Sequence, residues 1–225
     1  DVVVSNMDVY FTYKHLLQDV DAAAKLLRRE RSSSAIIFYW GINKEFPGLG
    51  LHNILFSNDY AAEFADIFRN RKISKDPTVY INITSKCERE VHAPPGQENW
   101  FVMINAPADS GQNWTDLIAT CRSSVVKKIN RMLKTDIEKH IVFEQAGSPV
   151  TIAEQTASYM GSLYGTSSNT KLSAFLRHPN FSRRIQNLYF VGGSVHPGGG
   201  IPLCLKSAKI ATGIIEQDAR KRKKR

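Results

Sequence analysis

The hydrophobic and polar positions of the chain repeat with two different periods, which together predict a protein built of helices and strands. Apolar residues at helical spacing predict helices over residues 13–29, 58–71, 114–139, 151–158 and 203–220. Short β-branched or aromatic runs, bounded by turn residues, predict strands over residues 1–6, 32–42, 77–85, 100–107, 141–149 and 188–191. The pattern therefore indicates a mixed α/β chain of at most two lobes, without repeats or a low-complexity linker.

The segment Leu188–Ser207, LYFVGGSVHPGGGIPLCLKS, combines a short strand, a glycine-rich turn and the start of a helix. Glycine after a strand permits a positive φ and lets a ligand touch the backbone. The start of the helix suits a phosphate or a developing anion, and Pro202 fits the first helical turn. From these residues alone, a tight turn without a ligand remains an alternative, with His196 as an ordinary hydrogen-bonded loop histidine.

The net charge of +9 is concentrated at one end of the chain. The run 220–225, RKRKKR, holds six of the 30 basic residues, and the rest is near balance against 21 acidic residues. Such a run is typical of a solvated, disordered end, and attraction to anionic lipid is the functional alternative. We expect no nucleic-acid partner, because no basic patch is interleaved with aromatic residues.

The cysteine pattern favours a reducing compartment. Three widely spaced cysteines, Cys87, Cys121 and Cys204, offer neither a disulfide framework nor a metal pattern, so no metal site is expected. The Asn-X-Ser/Thr triplets at Asn82, Asn113 and Asn180 are then chance matches. No apolar run approaches the ~20 residues of a membrane span, and a secretory signal is not recognisable. The expected location is cytoplasmic.

The stretch 187–211 resembles the C-terminal signature of bacterial-type phytoene desaturases and related carotenoid oxidoreductases, within the FAD-dependent amine-oxidase-like superfamily. The residues that carry the resemblance are Asn187, Tyr189, Gly192, His196, Pro197, Gly198, Gly200, Ile201, Pro202 and Ser207. Val195 is a mild departure, since the family usually has Thr or Ala there. VVVSNMD, SSSAIIFYWGI, HNILFSNDYAAEFADIF, APPGQENWFVMINAP and GSLYG follow the family's order, so the resemblance covers nearly the whole chain.

The resemblance implies the C-terminal portion of such an enzyme. Residues 1–12 are expected to form a return strand of the flavin domain, and residues 13–183 a substrate domain with a mixed sheet and flanking helices. Residues 184–219 would be the closing strand, loop and helix of an FAD-binding Rossmann-like domain whose N-terminal part is absent, and residues 220–225 a basic tail. We expect this fragment to be inactive alone, because most of the contacts to FAD would lie upstream of it.

The implied function is FAD-dependent dehydrogenation of a long apolar polyene such as phytoene, at a peripheral membrane contact. The expected cofactor-binding residues are Gly192, Gly193, Ser194, Gly199, Gly200, Ile201 and Pro202. His196 is expected to orient flavin or substrate, and the substrate candidates are Phe38, Tyr39, Trp40, Trp100, Phe101 and Tyr164. The alternatives are a retinol-saturase-type or amine-oxidase-type FAD oxidoreductase, or a non-catalytic domain that binds lipid or a partner. For the aromatic candidates, membership of an ordinary core is the competing interpretation.

Overall fold

The computed structural model describes residues 1–167, 169 and 176–223. The chain divides into two compact units. The central unit is continuous and comprises Ser34–Thr151, whereas the terminal unit joins Asp1–Ser33 to Ile152–Arg225. Residues 13–33 belong to the terminal unit, where Tyr13, Leu17 and Leu26 pack against its small core. The predicted division into flavin and substrate domains stays a prediction.

The described elements alternate between strands and helices along the chain. The strands are β1 Val3–Ser5, β2 Ser34–Ile42, β3 His52–Leu55, β4 Val79–Asn82, β5 Glu98–Ala106, β6 Ile141–Gly147 and β7 Leu188–Phe190. The α-helices are α1 Val9–Phe11, α2 Val20–Leu26, α3 Tyr60–Phe68, α4 Trp114–Leu133, α5 Pro149–Thr156 and α6 Ile201–Lys223. A π-helical turn, Thr12–Leu16, follows α1, and 3-10 turns occupy Thr84–Lys86, Ile137–His140 and Tyr159–Gly161.

The central unit is a five-stranded sheet in the order β3-β4-β5-β2-β6, and every neighbouring pair is antiparallel. Successive side chains of a strand point to opposite faces, so alternate residues of β2 and β5 form one apolar face. That face carries Phe38, Trp40, Trp100 and Val102, which pack into a single core cluster with residues of α4 such as Val125. The helix and the sheet face thus bury each other.

The terminal unit contains a two-stranded parallel sheet of β1 and β7, with Val3 opposite Leu188 and Ser5 opposite Phe190. A small core lies against it. Its buried residues are Val9, Leu188, Phe190 and Val195, with Tyr13, Leu17 and Leu26 packed around them. Helix α6 packs through small residues, because Ser207 and Ala211 are its buried positions.

The predicted fold class is confirmed, and four details differ. The sheet of the central unit is antiparallel where a mixed sheet was predicted, and β3 was not predicted as a strand. The predicted helix over 13–29 is interrupted where Gln18 takes a φ of 53° and Asp19 begins α2 as its N-cap. The predicted helix over 114–139 ends at Lys134, which adopts the left-handed conformation and terminates α4.

The basic run continues α6 as far as Lys223, and its residues 224 and 225 lie outside the described residues. Among the described residues, no helix has both the length and the apolar character that crossing a bilayer requires. The three cysteines are free thiols. Burial raises the pKa of Cys121 to about 12, so this thiol stays protonated at neutral pH.

Candidate functional site

The glycine-rich loop, residues 191–200, connects β7 to α6 in the terminal unit. Its first residue prolongs the strand pairing, since the Val191 amide donates to the Ser5 carbonyl over 2.9 Å. Gly192 then turns the chain with a φ of 105°, a conformation that favours glycine. The loop ends at Gly200, whose carbonyl accepts from the Cys204 amide in the first turn of α6. Strand, turn and helix therefore follow one another as the sequence predicts.

Asn180 ties the two ends of this loop together. Its amide nitrogen lies 3.1 Å from the Phe190 carbonyl, 2.9 Å from the His196 carbonyl and 2.8 Å from the Ser207 hydroxyl. The Phe190 amide donates in return to the Asn180 carbonyl. The buried hydroxyl of Ser207 also accepts from the Gly192 amide, over 3.2 Å. One buried amide thus fixes the end of β7, the middle of the loop and the start of α6.

Arg177 supports the loop from its inner side. The guanidinium is buried and donates to the carbonyls of Tyr164 at 2.8 Å, Gly193 at 3.0 Å and Thr166 at 2.8 Å. A Cβ atom at Gly198 would lie 3.1 Å from the Arg177 Nε, so the absence of a side chain there permits the close approach. Burial lowers the pKa of Arg177, and the charge of Arg31 adds to that shift.

The glycines of the loop face two different environments. Gly199 packs against the ring of Tyr164, so this position allows tight internal packing. Ser194 of the loop is packed in the same way against Gly165, where a Cβ atom would lie 2.7 Å from the Ser194 Cα. At Gly200, with a φ of 98°, a Cβ atom would have no heavy atom within 4 Å. The nearest atom at Gly192 would be the Asn6 oxygen, 3.5 Å away. The backbone at Gly192 and Gly200 is therefore open to a ligand.

A buried ion pair lies in the same unit. Arg31 donates to Asp8 over 2.6 Å, to the Ser162 hydroxyl over 3.0 Å and to the Tyr159 carbonyl over 3.2 Å. Its Nη1 is buried and has no hydrogen-bond partner among the described residues. Asp8 also caps α1 by accepting from the Tyr10 amide. The pair joins the turn after β1 to residues 159–162.

His196 belongs to the loop through its backbone and lines an open groove with its half-buried side chain. Its amide donates to the His178 carbonyl over 2.8 Å. The groove has a volume of about 670 Å³, and Tyr13, His178, Ile210 and Ile214 are among its lining residues. His196 thus lies beside a mostly apolar surface, and its orienting role stays a prediction.

His178 forms two side-chain hydrogen bonds that fix its neutral tautomer. Nδ1 lies 2.8 Å from the Pro179 carbonyl, which can only accept, so Nδ1 carries the proton. Nε2 then accepts from the Tyr13 hydroxyl over 3.0 Å. Burial lowers the pKa of His178; the hydrogen bond to Pro179 opposes that shift, and the charge of Arg29 adds to it.

Acidification is expected to destabilise the protein through His178. Because its folded-state pKa is depressed below the ordinary ~6.5, the unfolded chain takes up a proton first as the pH falls. The stabilisation is full above about pH 6.5 and decreases towards the folded-state pKa. Melting temperatures of the full-length protein measured from pH 7.5 to 5.5 should therefore fall less steeply in His178→Gln than in the wild type. His15→Gln, at an exposed position, is the control, and equal slopes in all three proteins would contradict the prediction.

The structure separates the predicted substrate residues. Phe38, Trp40 and Trp100 are fully buried on the core face of the central sheet, where they contact other core side chains. These three side chains therefore belong to the core of the central unit. Their neighbours along the strands point to the opposite face, because successive residues of a strand alternate between faces. Tyr39 and Phe101 lie on the other face and meet edge to face, with ring centroids 5.6 Å apart. Tyr164 belongs to the terminal unit and packs on Gly199.

The predicted cofactor residues fall together in the loop and the first turn of α6, and their exposure ranges from buried to exposed. Ile201 is 80% exposed, whereas Ser194 is buried and accepts from the Val9 amide over 3.0 Å. Sequence reasoning missed Arg177 and Asn180, which hold the loop in place. The sequence marks Asn180 only as part of a chance Asn-X-Ser triplet, and residues 176–187 have no periodicity that could reveal either residue.

No protein-family model matches the chain. A 1-hydroxycarotenoid 3,4-desaturase from a Flavobacterium species is 59% identical over 215 residues, which cover 96% of this chain and 44% of the relative. A 4,4'-diaponeurosporene oxygenase from Staphylococcus aureus is 34% identical over 99% of this chain and 46% of the relative. The chain thus spans less than half the length of these relatives. The expected relationship to carotenoid oxidoreductases is confirmed.

A solved structure shares the fold. An oxidoreductase from Methanosarcina mazei matches with a TM-score of 0.50 and 15% sequence identity, over 93% of this chain and 42% of its own. At that identity the likeness concerns the fold alone. The matched region is less than half of that structure's chain.

Proposed function

Since the chain is related over nearly its whole length to carotenoid desaturases, we propose that it forms the C-terminal part of an FAD-dependent enzyme that dehydrogenates a long polyene. The observation that carries the proposal is the 59% identity to a 1-hydroxycarotenoid 3,4-desaturase, which extends through the glycine-rich loop. The relatives favour the carotenoid branch over the retinol-saturase, amine-oxidase and non-catalytic alternatives.

The residues of the loop fit a flavin dinucleotide. Gly192 and Gly200 offer open backbone at positive φ, which a flat or anionic group can approach closely. We propose that Gly192, Gly193 and Ser194 lie along the ribityl and pyrophosphate part of FAD. Gly199, Gly200, Ile201 and Pro202 would present the N-terminus of α6 to the ring system. When bound, FAD supplies the two-electron oxidation of a CH–CH bond, which side chains cannot perform.

The chain's own residues would position and support this site. Arg177 and Asn180 hold the loop from behind, so that its open backbone is already in place before a ligand arrives. The partial positive charge at the start of α6 would stabilise negative charge that develops near it. His196 would orient the flavin or the polyene from the edge of the groove. The buried core of Leu188, Phe190 and Val195 excludes water from the inner side of the loop.

The proposed substrate also implies contact with a membrane. A long apolar substrate resides in a bilayer, so the enzyme would collect it at a membrane surface. The last turn of α6 carries Arg220, Lys221, Arg222 and Lys223. Each basic residue near an anionic surface is worth about 1 kcal/mol, which supports peripheral attachment without a membrane-spanning helix.

Expression of the complete gene in cells that accumulate a hydroxylated acyclic carotenoid tests the proposal. The expected pigment has lost two hydrogen atoms per step and absorbs at a longer wavelength, because its conjugation is extended. A pigment that has instead gained oxygen would favour the second candidate, the oxygenase activity named for the Staphylococcus aureus relative. An unchanged carotenoid, together with a colourless purified protein, would contradict both.

A further inference from the structure

The open face of the central sheet carries two rows of side chains that run across its strands, a mixed polar and aromatic row and a mostly apolar row. Residues that pair directly on neighbouring strands share a face. The first row, one residue for each of the five strands, is His52, Asn82, Phe101, Tyr39 and Gln145. The second row is Ile54, Tyr80, Met103, Ile37 and Gly147. At a strand spacing of about 4.8 Å, each row is about 19 Å long.

Aromatic rings form a continuous track within these rows. The ring of His52 stacks on Tyr80 with a centroid separation of 6.0 Å. Tyr80 meets Phe101 at 6.3 Å, and Phe101 meets Tyr39 at 5.6 Å. Tyr39 is 43% exposed and Ile54 is 52% exposed, so the track is not buried within the unit. The opposite face of the same strands is the core, and this face is therefore the one available to a ligand.

The track ends in a polar group at His52. The amide nitrogen of Asn82 is held by the Leu51 carbonyl at 3.0 Å and also lies 3.2 Å from His52 Nδ1. A proton on Nδ1 would point at the hydrogens of that amide nitrogen, so Nδ1 carries the single lone pair of the ring, which accepts from the nearer Tyr80 hydroxyl over 2.7 Å. The proton of the neutral ring is consequently on Nε2, which has no hydrogen-bond partner among the described residues.

We propose that this face binds the polyene lengthwise across the strands, with an oxygen-bearing end of the polyene accepting a hydrogen bond from His52 Nε2. The inference rests on the proposed function and adds the orientation of its substrate. An apolar track that ends in a pre-oriented donor complements a hydrocarbon chain that ends in a hydroxyl group. The relative at 59% identity is named for a hydroxylated carotenoid, which agrees with that chemistry.

Binding rather than turnover provides the first test. The full-length protein, with its flavin removed, is titrated with a 1-hydroxylated acyclic carotenoid or the matching hydrocarbon in neutral phosphatidylcholine vesicles, and quenching of tryptophan fluorescence is followed. His52→Leu should weaken binding of the hydroxylated compound about tenfold, the equivalent of one hydrogen bond. Binding of the hydrocarbon should keep its wild-type constant, and His52→Gln, which retains a donor, should recover part of the loss.

Matched variants define the outcomes. His92→Leu removes an exposed histidine of the same unit outside the track and should leave both dissociation constants unchanged. Equal weakening of both ligands by His52→Leu, or no weakening of either, would overturn the inference. So would a marked fall in melting temperature for Tyr39→Ser, because the face would then be covered by another part of the protein. A hydroxyl-dependent effect of His52→Leu in a protein that never converts the carotenoid would contradict the proposed function and sustain this inference.

Discussion

Arg177→Met is expected to lower the free energy of unfolding of the full-length protein by about 3 kcal/mol and to make it lose FAD during purification. The guanidinium is 6% exposed and donates to three backbone carbonyls, one of them in the glycine-rich loop at Gly193. Methionine preserves much of the side-chain volume but leaves those carbonyls without this donor. The loop then loses its inner support, and its open backbone no longer keeps one conformation.

Denaturant unfolding and flavin absorbance measured on the same preparations check this result. Arg183→Met is the control, because Arg183 is exposed and close in sequence. It should retain both wild-type stability and wild-type flavin content. Arg177→Lys should be intermediate, since one ammonium group cannot reproduce the fork of a guanidinium. Wild-type flavin content in Arg177→Met would contradict the supporting role assigned to this residue.

Asn180→Asp is expected to be as damaging as Asn180→Ala, although aspartate has nearly the same shape. The amide nitrogen of Asn180 lies within 3.1 Å of two backbone carbonyls and the Ser207 hydroxyl. Aspartate places an oxygen there, which repels the carbonyl oxygens and must be buried as a charge or protonated. Each substitution should cost about 2–3 kcal/mol in unfolding free energy, because buried carbonyls lose their donor.

The measurement is chemical denaturation of the three full-length proteins, with Gln186→Ala as an exposed control in the same segment. Flavin content should fall in both Asn180 variants, since Phe190, His196 and Ser207 belong to the strand, loop and helix that would hold FAD. Stability of Asn180→Asp near that of the wild type would show that the amide nitrogen is not the atom that matters. The role assigned to Asn180 in holding the strand, the loop and the helix together would then be wrong.

The sequence predicts the elements of this fold well wherever periodicity is strong. Residues 32–42 were predicted as a strand, and β2 occupies Ser34–Ile42. The strand–glycine–helix unit was also predicted, because glycine and Pro202 have local conformational reasons to be there. Strand direction was not predictable in the same way, since it depends on how distant segments pair. In the central sheet, β2 pairs antiparallel with both β5 and β6, which lie about 60 and 100 residues away along the chain.

The predicted aromatic residues show that the sequence does not determine which face of the sheet becomes the core. Tyr39 and Trp40 are neighbours in one strand, so both were candidates, yet the pleat sends one to the open face and the other to the core. Which face is open depends on where α4 packs. The partners of the buried charged residues were not predictable from the sequence either. Lys128 lies within α4, and its ammonium reaches the carbonyls of Phe56 and Pro77 as well as Asp76, contacts that no local pattern indicates.

The central claim is tested most directly by the purified full-length protein and one anaerobic reaction. Vesicles that contain a hydroxylated acyclic carotenoid are added to the protein without oxygen, and the absorbance of flavin and carotenoid is recorded together. The account predicts about one FAD per protein chain, loss of the flavin absorbance on mixing, and a red shift of the carotenoid from one new double bond per flavin. A protein that carries no flavin, or whose flavin absorbance is unchanged while the carotenoid remains intact, would contradict it.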